Sequence, residues 1–127
     1  MGGNDAIAGA AIQLLAERRL AGKVVVVGQD AELSACQRIV EGTQLMTIYK
    51  PIGTLAVRAA RLAVDLVRRN RGEQIEIPQR DSMLDNHSGI MVPAYLEKST
   101  MIYRDSIDEV IRDGFHSRED IFRNVTE

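Results

Sequence analysis

The chain has 127 residues, 45% of them apolar and 27% charged, with a formal net charge of -2. That is room for one domain with one modest core, and it lies far from the composition of a disordered chain. The slightly negative balance argues against a dedicated nucleic-acid binder, no apolar run approaches the roughly 18 residues that span a bilayer, and one cysteine, Cys36, forms neither an intramolecular disulfide nor a metal cluster.

The first residues, Met1 to Asp5, carry no positive n-region and no long apolar stretch, so no signal peptide is read in this chain. Gly2-Gly3 reads as a plain terminus rather than a phosphate loop. Ala6 to Leu20 is expected to be a helix. Ile7, Ala10, Ala11, Leu14 and Leu15 form one apolar stripe, Asn4 or Asp5 caps the start and Gly22 ends it. Lys23 to Gly28 holds four consecutive valines, which predicts a strand buried on both faces, as in a parallel sheet between helices. Gly28-Gln29-Asp30 is a turn at its carboxyl end.

Ala31 to Glu41 is predicted as a second helix, with Leu33, Cys36, Ile39 and Val40 inward and Gly42 after it. Gln44 to Lys50 follows as a strand that Pro51 stops. Ile52 to Asn70 is the longest helix, with Leu55, Ala59, Leu62, Ala63, Leu66 and Val67 as its core stripe. Its Arg58, Arg61, Arg68, Arg69 and Arg71 read as a solvated face with cations toward the C-terminus. Residues 72 to 82 are a polar link, 85 to 89 a turn, 90 to 96 a strand with Pro93 at an edge, and 99 to 103 an extended segment. Ser106 and Glu109 have capping-box spacing for a short helix to Asp113, and 117 to 124 is a last short helix. The order helix, strand, helix, strand, helix predicts an α/β fold: a parallel sheet flanked by helices.

In such a sheet ligands bind beyond the carboxyl ends of the strands. Asn4-Asp5 opens the first helix, Gln29-Asp30 follows the valine strand, and Lys50 ends the next one. Their chemistry suits a neutral polyol: a carboxylate accepts from two adjacent hydroxyls, an amide both donates and accepts, and an ammonium donates up to three bonds. The same residues also serve as plain helix caps and strand ends, and no aromatic wall accompanies them. No Gly-rich nucleotide loop, nucleophile elbow or set of nucleophile, base and orienting group is present, so no catalytic residue, cofactor or metal ligand is assigned. His87 and His116 lie far apart and read as ordinary surface or satisfied residues.

Beyond pattern, the run Asn4-Asp5-Ala6-Ile7-Ala8-Gly9-Ala10-Ala11-Ile12-Gln13 resembles a segment of the D-xylose-type sugar-binding proteins of ABC transporters. So do Leu20 to Val24, Gly28 to Ala31, Gly42 to Gln44 and Met46 to Ile52, in the same register. Val110 to His116 resembles the family's closing motif. The resemblance implies part of the C-terminal lobe of a type I periplasmic binding protein, a non-enzymatic receptor that delivers a monosaccharide to a membrane permease. It places sugar-binding roles on Asn4, Asp30 and Lys50, with Asp5 and Gln29 in support. It also implies a periplasmic or extracytoplasmic location and a piece of a longer, two-lobed receptor. Residues 1 to 50 would be the C-terminal-lobe core, 51 to 82 a hinge and a helix of the other lobe, and 83 to 127 the return segment and tail. The helix 52 to 70 would then show its stripe to a missing partner, which predicts a homodimer. Sugar-responsive transcriptional regulators and sensor accessory proteins share the fold and form the alternative.

Overall fold

The computed structural model describes residues 2–125 and divides into two compact units. One runs up to Lys50 and resumes at Ser99; the other is Pro51–Lys98.

In the first unit, α1 (Asp5–Glu17) starts on Asn4, whose Oδ1 accepts from Ile7 N at 2.9 Å. The helix buries Asp5, Ala8 and Ile12, whereas Ile7 and Leu14 are 57% and 63% exposed. The buried line is therefore rotated from the stripe expected from the sequence. Apolar residues occupy most sides of this helix, so periodicity leaves its rotation open; the carboxylate of Asp5, which must meet polar partners inside the unit, sets it. The helix also ends before Leu20, because Arg19 turns left-handed (φ 56°) and Gly22 (φ 75°) belongs to the following turn.

The valine run does not form the continuous strand expected; it meets its neighbour through an isolated parallel bridge at Val27. Leu45 N donates to Val26 O, Gly28 N to Met46 O and Asp30 N to Ile48 O, at 2.9, 3.1 and 2.8 Å. This slanted pattern is that of parallel neighbours, with Val27 opposite Met46. Gly2 N donates to Val27 O on the other side. Gly2 is buried, and a Cβ there would lie 2.8 Å from Ala8 N, so it is a close-packed position and not a plain terminus. Val26 is buried, but Val24 and Val25 are exposed, so the expectation of a strand covered on both faces fails at its start.

The ladder is also mixed rather than purely parallel. β1 (Thr47–Tyr49) pairs antiparallel with β4 (Thr100–Ile102), Ile48 opposite Met101. Against it packs α2 (Leu33–Glu41), which buries Ala35, Cys36, Ile39 and Val40 and ends on Gly42 in the left-handed region (φ 84°). It starts later than expected because Asp30 and Ala31 are both left-handed, at φ 99° and 51°. The main core joins Cys36 and Val40 to Tyr49, Ile102, Val110 and Ile121. Val110 comes from α4 (Asp108–Arg112) and Ile121 from α5 (Arg118–Ile121), which is shorter than expected. Ser117 caps α5, accepting from Asp120 N at 3.1 Å. Ser106 does not open a capping box with Glu109; its hydroxyl accepts from Tyr103 N at 2.9 Å within a 3-10 turn, Arg104–Ser106.

The second unit carries α3 (Ile52–Asn70), with the bounds expected, and an antiparallel hairpin of β2 (Ser82–Asp85) and β3 (Met91–Ala94). Arg58 is not a solvated cation. It donates to Glu97 Oε1 at 2.8 Å, Leu96 O at 3.1 Å and Asp81 Oδ2 at 3.2 Å, and lies over the Tyr95 ring. No residue of α3 is buried, so its apolar stripe is not the core stripe the sequence predicts.

Candidate functional site

The floor of the candidate site is Asp5, which is fully buried. Its Oδ1 accepts from Gln44 Nε2 at 2.9 Å; its Oδ2 accepts from Thr47 Oγ1 at 2.7 Å and Glu32 N at 3.0 Å. Arg38 adds a second layer: its Nη2 donates to Asp5 O at 3.1 Å and its Nε to Gln44 Oε1 at 3.0 Å. A buried carboxylate persists only with such a full set of donors. Gly28 stands against it, where a Cβ would run into Asp5 Oδ1 and lie 2.9 Å from Gln44 Nε2. Asp5 therefore ties the start of α1 to Glu32, Gln44 and Thr47, and its oxygens are spoken for.

Above this floor the strand ends converge. Asp5 N donates to Gln29 O at 2.8 Å, which ties the start of α1 to the residue before Asp30. Lys50 Nζ donates to Asp30 Oδ1 at 2.8 Å. The structure thus brings Asp30 and Lys50 into contact and sets Asn4 on the adjoining turn, all at the carboxyl edge of the parallel pair. Gln29 takes part through its backbone carbonyl. The Lys50 and Asp30 side chains are 44% and 38% exposed, so the ion pair is worth little to stability. Its free donors and acceptors remain open to solvent, which is the condition for exchanging them with ligand hydroxyls.

Asp30 and Ala31 need support, because two successive non-glycine residues in the left-handed region are strained. Ala31 N donates to Thr47 Oγ1 at 3.1 Å. Ala31 O takes the Cys36 thiol at 3.7 Å and His116 Nε2 at 2.7 Å. Sequence reasoning missed Gln44, Thr47, Arg38 and His116. The readable signal for the first two was Gly28, since an isolated glycine at a strand end marks a close approach. Two apolar clefts, of about 470 and 520 Å³, flank Val24 to Val26. Neither is lined by Asn4, Asp30 or Lys50, and neither gathers converging polar groups as the strand-end edge does. Among the described residues no cluster could hold a metal ion, and no helix is long and apolar enough to cross a membrane.

The periplasmic binding protein domain family matches residues 1–73, more than half of the chain. The chain belongs to that family. It is 47% identical over 121 residues to the D-xylose-binding periplasmic protein of Haemophilus influenzae, covering 94% of this chain and 34% of that protein. It is 44% identical over 120 residues to the D-xylose-binding periplasmic protein of Escherichia coli, covering 93% and 34%. The chain therefore spans about a third of the length of these curated relatives. Among solved structures it resembles a carbohydrate transporter solute-binding protein from Chloroflexus aurantiacus in complex with D-glucose. That likeness has a TM-score of 0.77 and 30% identity, over 92% of this chain and 33% of the other. An ABC transporter solute-binding protein from Clostridium phytofermentans, with bound β-D-glucose, shares the fold at a TM-score of 0.70 and 22% identity, over 93% and 35%. The architecture is thus a part of the type I periplasmic binding protein fold, as the resemblance of the sequence implied.

Proposed function

We propose that this chain supplies one wall of the sugar site of a periplasmic receptor that serves an ABC permease, with D-xylose or a related monosaccharide as ligand. The observation that supports it is the half-exposed Lys50–Asp30 pair beside Asn4, at the strand-end edge of a chain close in sequence to D-xylose-binding proteins. In this reading Asp30 accepts from a pair of adjacent hydroxyls, Lys50 donates, and the Asn4 amide does both, while Asp5 and Gln29 hold them in place. The role is capture without chemistry, in a periplasmic or extracytoplasmic compartment. The relatives are named as D-xylose-binding periplasmic proteins and a carbohydrate transporter solute-binding protein, which favours this reading over the regulator alternative. The sequence put the contribution to the other lobe at 51 to 82; in the present reading it is the whole compact unit Pro51–Lys98, with the chain returning at Ser99.

A closed site has hydrogen bonds on both walls, each worth roughly 0.5–1.5 kcal/mol and more where charged. With one wall only, several of these are lost, and each 1.4 kcal/mol is about a tenfold loss of affinity. The chain alone is therefore expected to bind D-xylose in the millimolar range. NMR titration with D-xylose should shift the amides of Asn4, Asp30 and Lys50, and Asp30→Ala should abolish those shifts. Micromolar affinity by calorimetry would refute the one-wall account, and sugar-induced shifts elsewhere would refute the site.

A further inference from the structure

The segment that closes the main core, Asp113–His116, touches the chain beside both members of the strand-end pair. His116 Nε2 lies 2.7 Å from the carbonyl of Ala31, the neighbour of Asp30. With the proton on that nitrogen, the imidazole donates to the carbonyl. The hydroxyl of Tyr49, the neighbour of Lys50, donates to Asp113 Oδ2. Phe115 sits between them, its ring centroid 5.1 Å from that of Tyr49 and 4.6 Å from that of His116. Asp113–His116 follows α4, more than sixty residues after Lys50, and no local rule of chain geometry requires it to be there.

Two features give these contacts a purpose. The Asp30–Ala31 turn is strained and persists only where its surroundings over-determine it. The ion pair above it is half-exposed and too weak to hold its own residues in place. We infer that Asp113–His116 is a positioning element for the Asp30–Lys50 pair: His116 fixes the strained turn that aims Asp30, and Asp113 fixes the strand end that carries Lys50. Neither residue touches a ligand. The inference rests on the proposed sugar site for its purpose, but its geometry is tested independently of any sugar.

The test uses the whole chain with His116→Ala, His116→Gln, Asp113→Ala and Asp113→Asn. Gln keeps an N–H donor for Ala31 O, and Asn keeps an oxygen acceptor for the Tyr49 hydroxyl. Ile12→Val, in the separate small cluster of Ala8, Ile12 and Val26, is the control for general loosening of the unit. In His116→Ala, amide exchange of Asp30 and Ala31 is expected to quicken about tenfold while the amides of α1 keep their protection. His116→Gln restores the native rate, and Ile12→Val quickens exchange across the unit. Titration with D-xylose should show a dissociation constant raised roughly fivefold in both alanine variants and restored in His116→Gln and Asp113→Asn. Native exchange at Asp30 and Ala31 in His116→Ala, or a rise spread evenly over the unit as in the control, overturns the inference. Local loosening with unchanged xylose affinity also overturns it. If the native chain gives no xylose response at all, the sugar reading fails, and the exchange pattern still decides whether His116 holds the turn.

Discussion

A carboxylate without exposed surface is tolerable at Asp5 because three donors converge on it, and those donors depend on it in return. Asp5→Ala takes this acceptor from the buried Thr47 hydroxyl and Gln44 amide and from the Glu32 N–H; the Gln44 amide keeps Met46 O at 3.2 Å. Each such group costs about 1–3 kcal/mol, so the first unit is expected to lose about 3 kcal/mol or more, read as a lowered urea midpoint. Gly28→Ala should cost about 1–3 kcal/mol by overpacking the same carboxylate. A native midpoint in both variants would mean the network is not a support. Alkali tests two other buried groups. Burial first, with the Asp5 charge adding to it, pushes the Cys36 thiol from 9.0 up to about 12. Burial first, then the bond to Asp113, pushes the Tyr49 phenol from 10.0 to about 12. Both values are raised on folding, so the folded chain binds these protons more tightly. Their contribution is complete below about 9 and is lost as pH climbs toward about 12. The unfolding free energy, read through the urea midpoint, should fall across that window by up to about 1.4 kcal/mol per pH unit for each group. Cys36→Ala should flatten the decline; an unchanged slope would remove the thiol from the account.

At the scale of elements, legibility followed local chemistry. The end of α2 was readable because Gly42 adopts the left-handed cap that glycine favours. Gly42→Ala should therefore cost about 1 kcal/mol in thermal or urea unfolding, with the helix otherwise retained; a neutral result would show that the cap relaxes without strain. The bounds of α3 were readable from Pro51 and from a long uninterrupted helical pattern. The rotation of α1 was not, since Ile7 and Leu14 look as apolar as Ala8 and Ile12, and the choice between them lies with Asp5 and its partners up to 42 residues away. The antiparallel pairing of β1 with β4 was illegible for a related reason. It joins Ile48 to Met101 across the whole second unit, and strand polarity over such a distance leaves no periodic trace. Asn4, Asp30 and Lys50 were readable as strand-end polar residues. Their support from Thr47 and His116 was not, because a threonine in a strand and a lone histidine are ordinary until the fold sets them against Asp5 and Ala31.

For the molecule as a whole the open question is what covers α3. Of the stripe, Leu55, Leu66 and Val67 are 45%, 46% and 51% exposed, while Leu62 is half-buried. An uncovered stripe of this length is unusual for a lone soluble chain. Fully burying each such side chain is worth roughly 1.5–3 kcal/mol, so coverage of these three in each copy competes with the cost of association. In the two-lobed reading the rest of a receptor would provide that cover, since this chain spans about a third of the relatives' length. For the chain on its own, a second copy is the proposed cover. Two α3 stripes meeting face to face form a self-complementary contact, and exchange of the segment after Lys50-Pro51 is one route to it. Light scattering is expected to give a dimer mass at high micromolar concentration. Leu66→Glu should return a monomer, because a carboxylate in the centre of such a contact is buried without a partner. It should leave folding of the first unit intact, since Leu66 belongs to the second. A monomer mass for the native chain at that concentration would rule the dimer out, and the α3 stripe would then have to be tolerated in water or covered within its own unit.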